Sequence, residues 1–354
     1  MAVAGDPMQD CAAAAVADWL VAEGVTIEPP VETTQITSGQ SNLTYVMSDG
    51  AGRRFILRRP PTGQLLNTAH SMDREWRFLA ALHGTEVPVP LPVALCGDDT
   101  VLGAPFYVME YVDGIVMHTA DDARALPEPA RSDVTAGVAA SLRRLHGVDV
   151  VARGLADIGR GEDYVARQLR RWNGQWEKIR SLTDLDVPAI DQGHRALSSR
   201  IPQQERVAIV HGDFRLGNVI AGPDGAIRAV LDWELATLGD PRADLGWLLL
   251  SWEEPGRPRV TNPTGVAPST LPGFGTRSEL VAAYLAEGEP DDAADIDYFI
   301  GFAAWRWACI SAGVYSRYQA NVMGGRTSDQ RAILQAIIDH AEYALALVAS
   351  RSAT

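Results

Sequence analysis

Lysine is almost missing from this chain. Lys178 is the sole one, so every other member of the 31 Lys and Arg residues is arginine. Cysteine is nearly as scarce: Cys11, Cys96 and Cys309 are odd in number and scattered, without the spacing of a zinc site or a disulfide framework. A reducing compartment is expected. No apolar run reaches the ~18 residues of a membrane-crossing helix. The alanine-rich start, MAVAGDPMQDCAAAAVADWLVAEG, lacks a basic leader and is bracketed by Asp10 and Asp18, so it reads as an amphipathic helix and not a signal peptide. A cytoplasmic location follows as an expectation. Positive charge is also in deficit, and a net charge of −14 repels nucleic acid phosphates and anionic lipid more than it attracts them. Neither nucleic acid nor membrane is an expected partner, and composition leaves the oligomeric state open.

What remains is ordinary globular material, 46% apolar and 21% charged, in a chain of 354 residues that is long enough for two cores. Residues 33–61, TTQITSGQSNLTYVMSDGAGRRFILRRPP, alternate β-branched and aromatic residues and are broken by SGQSN and DGAG, which predicts three antiparallel strands joined by tight turns. Over residues 68–83 Met72, Trp76, Leu79 and Leu82 share one helical face. VPVPLPVALCG and APFYVMEYVDG read as two more strands. From about residue 128 the pattern turns helical, is interrupted by short β segments and loops between 211 and 249, and resumes over 276–287, 290–320 and 328–350. Residues 253–275 are dense in Pro and Gly and predict a long loop. The expected architecture is α+β: residues 1–113 form a small antiparallel-sheet lobe carrying a helix, and residues 114–354 a larger, mainly helical lobe.

The chemistry is concentrated in HGDFRLGNVI, residues 211–220, and VLDWELATLGDPRADLGWLL, residues 230–249. Phosphoryl transfer from ATP asks a protein for held metal ions, fixed phosphates and an oriented acceptor oxygen. An Asp, an Asn five positions on and a second Asp after a hairpin is the order in which protein kinases supply these functions, and Asp213, Asn218 and Asp232 fit it. HGDFRLGN and LDWE resemble the signature loops of the aminoglycoside phosphotransferase-like kinases, a branch of the bilobal protein-kinase-like fold. SGQSNLTY, FILRRPP and GDPRADLGW are similar to the subset fused to some acyl-CoA dehydrogenases. The resemblance runs from roughly residue 30 to 320, with five motifs in family order.

That resemblance implies Asp213 as catalytic base, Asn218 and Asp232 as Mg2+ ligands, Arg215 on the transferring phosphate and Asp244 as a brace for the catalytic loop. It further implies that Ser38, Gly39, Ser41 and Asn42 lie over the phosphates of ATP and that backbone groups of Glu110 and Val112 meet the adenine edge. Glu75 is the candidate partner of the phosphate-binding cation, or else a surface helix residue. His211 is expected to hold the loop's shape, His146 to cap a helix, and Trp172, Trp176, Trp305 and Trp307 to be core residues. Glu234 is either a further site acid or a surface one.

One departure stands out. The third strand reads FILRR, without the usual lysine, and alternation places Arg58 and Ile56 on one face and Arg59 and Leu57 on the other. Arg58 is assigned to the phosphates with Arg59 as the alternative, since arginine keeps the charge but has a longer, planar fork. The expected function is transfer of the γ-phosphate of ATP to the hydroxyl of a small molecule, either a hydroxyacyl compound or an aminoglycoside. The competing expectation is a nucleotide-binding regulatory module without turnover. No flavin-binding pattern points to dehydrogenase activity.

Overall fold

Alternating side chains build the first sheet, because its central strands bury residues on both faces. The structure is a computed structural model that describes residues 10–36, 42–61, 65–254, 265–285, 295–320 and 329–349. Two compact units divide the chain, the first comprising residues 1–113 with 151–155 and 228–234, the second the remainder. In the first, helix α1 (Asp10–Ala22) precedes strands β1 (Glu32–Ile36), β2 (Leu43–Ser48) and β3 (Arg54–Arg59). Helix α2 (Leu65–Leu82), strand β4 (Pro92–Cys96), the short helix α3 (Asp99–Leu102) and strand β5 (Phe106–Glu110) follow. The five strands lie in the antiparallel order β1-β2-β3-β5-β4. Tyr45, Met47, Leu57, Phe106 and Val108 pack against Ala13, Val16 and Leu20 of α1, whereas Ile56, Tyr107 and Met109 pack against Met72 and Leu79 of α2. The alternation in FILRR is thus used on both sides.

The second unit starts at strand β6 (Ile115–Val116) and helices α4 (Ala120–Ala123), α5 (Glu128–His146), α6 (Tyr164–Leu182) and α7 (Pro188–Ser199). Strands β7 (Ala208–Val210), β8 (Val219–Ala221), β9 (Ile227–Val230) and β10 (Thr237–Gly239) come next, and from Arg228 the chain belongs to the first unit until Glu234. β7 pairs with β10, and β6 with β8, all antiparallel. Helices α8 (Arg242–Ser251), α9 (Arg277–Tyr284), α10 (Ile296–Gln319) and α11 (Gln330–Ala349) complete the unit.

Helix α8 corrects the expectation of loops and short β segments up to residue 249. Residues 242–250 are all buried, so ADLGWLLL shows no polar face and carries no helical period to read. It packs on α10 so closely that a Cβ on Gly246 would lie 2.5 Å from the Phe299 carbonyl oxygen. Helix α11 is long and apolar enough on average to cross a bilayer. Asp339 and Glu342 break its apolar run in sequence, and Ile333, Ile337 and Ala341 are buried where it packs on α10 and α7. Trp176 and Trp305 are wholly buried, each with its indole N–H donated to a partner, the Asp191 carboxylate and the Ile190 carbonyl.

Candidate active site

The first unit gathers a buried ionic cluster around Arg58. Its side chain shares the α2 face of β3, with Nε 3.4 Å from Glu75 Oε2 and Nη2 donating to Asp232 Oδ1 at 3.1 Å. Arg59 points elsewhere, its Nε donating to the Pro60 carbonyl at 3.4 Å. Glu75 is 1% exposed and therefore not a surface helix residue. Its Oε1 accepts from Asn42 Nδ2 at 2.7 Å and its Oε2 from the Tyr107 hydroxyl at 2.9 Å. Burial alone would lower the Arg58 pKa, but the Tyr107, Glu75 and Asp232 oxygens hold it well above the ordinary range, so the guanidinium stays charged. Burial pushes Glu75 up, and Arg58 pulls it partly back. The structure thus brings Asn42, Arg58, Glu75 and Asp232 together, while Ser38, Gly39 and Ser41 lie outside the described residues.

Asp232 sits in the left-handed region at φ 68°, a conformation that costs a non-glycine residue about 1 kcal/mol. The segment that carries it is pinned to its unit by the Val230 N–H, which donates to the Pro88 carbonyl at 2.8 Å, and by Trp233 stacked on Phe78. At the end of β5 the Glu110 N–H is taken by the Leu91 carbonyl at 2.9 Å, so the carbonyl is the backbone group it could offer a base. Val112 lies two residues on, in a segment held by Arg54, which stacks over the Tyr111 ring at 4.1 Å and bonds Asp113 at 2.6 Å.

In the second unit, buried strand β7 delivers the loop 211–218. Gly212 adopts φ +87°, and a Cβ there would approach the Leu235 carbonyl oxygen to 2.9 Å, so glycine is required twice over. The buried Asp244 accepts from the N–H groups of His211 at 2.6 Å and Gly212 at 2.9 Å. Burial raises its pKa, but the bond to His146, the nearby His211 ring and the Gly212 N–H outweigh that and leave it below the usual carboxylate range. His211 Nδ1 in turn accepts from the Asp213 N–H at 3.3 Å, which holds the loop's shape.

Both oxygens of Asp213 are engaged. Oδ2 accepts from Asn218 Nδ2 at 2.8 Å, with Arg215 Nε 3.4 Å away, and Oδ1 accepts from the Trp247 indole N–H at 2.7 Å. Asn218 Nδ2 also meets the Asp213 carbonyl at 2.8 Å, which leaves the amide oxygen as its group for a cation. Arg306 of α10 donates Nη2 to the Gly212 carbonyl and lies 4.1 Å above the Trp247 ring. Asp213, Arg215 and Asn218 are thereby brought together.

His146 was expected as a helix cap, and the structure corrects this. Gly147 N–H closes the end of α5, and the buried His146 ring lies between the Tyr284 hydroxyl at 2.7 Å and Asp244 Oδ2 at 3.4 Å. Sequence reasoning also missed Tyr107, Trp247, Tyr284 and Arg306. Trp247 had a signal, since it lies three residues after Asp244 and so on the same helical face. Arg306 had another, a cation inside the apolar run FIGFAAWRWACIS that must find partners when buried.

Comparison with known proteins identifies the family of the chain. The model of the phosphotransferase enzyme family matches residues 32–280. Acyl-CoA dehydrogenase family member 10 of Mus musculus is 35% identical over 303 residues, covering 85% of this chain and 28% of its own. Family member 11 of Gallus gallus is 35% identical over 295 residues, covering 80% and 36%. The chain therefore spans about a third of the length of these relatives. A crystal structure of a "putative aminoglycoside phosphotransferase" from Ralstonia eutropha superposes with a TM-score of 0.73 at 29% identity, over 94% of this chain and 98% of that one. The GDP complex of aminoglycoside 2'-phosphotransferase-IIIa shares the fold, with a TM-score of 0.62 at 16% identity over 97% and 100% of the two chains.

Proposed function

Because the chain belongs to the phosphotransferase enzyme family, we propose that it is an ATP- and magnesium-dependent kinase acting on the hydroxyl group of a small molecule. The observation that carries this reading is Asp213, a carboxylate fixed through both oxygens on a loop whose backbone Asp244 braces. Asp213 takes the proton of the acceptor hydroxyl as that oxygen bonds to the γ-phosphorus, the bond from phosphorus to the bridging oxygen breaks, and ADP leaves. Arg58, charged and buried, holds phosphate oxygens, and Arg215 faces the transferring group. Glu110 and Val112 hold the adenine by their backbone groups.

Magnesium fits the donors available. Among the described residues no three His, Cys, Asp or Glu side chains are grouped as a metal cage, and magnesium needs none, since one or two protein oxygens plus phosphates and water suffice. Asp232 and Asn218 offer hard oxygens, and the ion would neutralise charge that develops on the phosphates.

For the acceptor, a cavity of about 500 Å³ in the second unit is lined by Glu254, Ser269, Thr270, Phe274, Thr276 and Ser278 among others. The dehydrogenase names of the relatives favour a hydroxyacyl compound over an aminoglycoside. ADP release is measured with hydroxyacyl thioesters and aminoglycosides as acceptors, and Asp213→Ala should lower the rate by about 10²–10⁴-fold. Mg·ATP binding without turnover that this substitution abolishes would reject the kinase. That outcome would favour a nucleotide-binding regulatory module, a reading supported by one contact: Arg58 holds Asp232, the carboxylate that magnesium needs.

A further inference from the structure

An aspartate side chain rotates broadly about its last torsion, so one hydrogen bond does not fix the plane of its carboxylate. A base that must receive a proton along a set line needs a second restraint, on the other oxygen. In the loop 211–218, Asn218 supplies the first, to Asp213 Oδ2, and Trp247 the second, to Oδ1 at 2.7 Å. Oδ2 also has the Arg215 guanidinium 3.4 Å away, so Oδ1 is the less encumbered oxygen.

Trp247 is itself held from two directions. Its backbone lies one turn beyond Asp244, the residue that grips the N–H groups of His211 and Gly212. Its ring lies beneath Arg306, whose Nη2 grips the Gly212 carbonyl. Helices α8 and α10 therefore clasp the same peptide segment through its donors and its acceptor, and the close approach at Gly246 sets their spacing. A buried indole needs an acceptor somewhere, and here the acceptor is the proposed base.

We infer that Trp247 is a positioning residue for phosphoryl transfer: its indole N–H sets the plane of the Asp213 carboxylate, with Arg306 securing the ring. This rests on the kinase reading above. The neighbouring ring and cation act through Asp213.

The test compares Trp247→Phe, which keeps the packing and removes the N–H, with Trp247→His, which keeps a ring N–H. ADP release is followed with ATP and whichever of the hydroxyacyl thioesters and aminoglycosides gives the parent its highest rate, alongside the Kd of Mg·ADP and the melting temperature. Trp247→Phe should lower kcat roughly 10- to 100-fold, with KM for ATP and Kd for Mg·ADP within about twofold, whereas Trp247→His should recover part of the loss. In an Asp213→Glu background the carboxylate is displaced from the indole, and Trp247→Phe should cost almost nothing further. Equal kcat for Trp247→Phe and the parent overturns the inference, as does an equal loss in both backgrounds, which would mark a merely structural ring. Should Trp247→Phe fail to fold, Arg306→Gln substitutes for it; it removes the cation that lies over the Trp247 ring, and an unchanged kcat overturns the inference. Parent turnover that Asp213→Ala leaves intact, or no parent turnover, defeats the kinase reading and this inference with it.

Discussion

Arg58 is where a single side chain carries most. It satisfies Glu75 and Asp232 at once, and a buried carboxylate that loses its cation costs about 3–5 kcal/mol. Arg58→Ala should therefore destabilise the fold by that order and weaken Mg·ADP, read by urea denaturation and calorimetry. Arg58→Lys should keep part of the affinity but cannot span both carboxylates with one planar fork. Asp232 permits a cleaner separation of fold from chemistry. Asparagine tolerates its left-handed backbone, so Asp232→Asn should melt near the parent while magnesium-dependent ADP release drops at least about tenfold. Retained turnover would remove Asp232 from the metal site.

Helices act on the loop through their spacing. Phe299 offers a backbone carbonyl to Gly246, which cannot yield as a flexible side chain would, so Gly246→Ala should cost about 1–3 kcal/mol by overpacking α8 against α10. Urea midpoints check the size, and an unchanged midpoint would show that the two helices part freely. The α10–α11 contact has its own pH dependence. His340 stacks on Trp307 at 3.8 Å, and burial pushes its pKa down to about 4. An unfolded histidine titrates near 6.5, so the unfolded chain binds the extra proton, and stability present above that pH is lost as pH falls toward 4. The loss should approach roughly 3 kcal/mol. His340→Gln should flatten this slope between pH 7 and pH 4.5 in urea titrations, and an identical slope would show that His340 titrates normally.

At the scale of the whole molecule, the expected readout is ligand-linked stability. A ligand that binds only the folded chain adds about 2.7 kcal/mol at 100 times its Kd. Mg·ADP should raise the melting temperature of the parent and leave Arg58→Ala almost unmoved, and equal shifts in both would take Arg58 out of the phosphate site. The net charge of −14 speaks to partners and solubility and not to the pocket. The dehydrogenase names of the relatives belong to chains about three times longer, so purified protein without flavin absorbance is the expected outcome.

Local order was legible in the sequence wherever one face of an element meets solvent or two faces meet different cores. The strands of the first sheet, helix α2 and the spacing of Asp213, Asn218 and Asp232 could be read because neighbours in the chain carry the pattern. Helix α8 could not, since it is buried all round and has no polar face to mark its period. The amino-acid sequence alone determined that an Asp, an Asn and a second Asp occur in this order and that the third strand carries arginine and no lysine. Only tertiary structure decided that Arg58 and not Arg59 meets Glu75, that His146 turns inward to Asp244, and that Trp247 and Arg306 reach the loop 211–218. Those contacts join residues 17, 98, 34 and 94 positions apart, and no local propensity encodes which distant side chain will be packed against a given one.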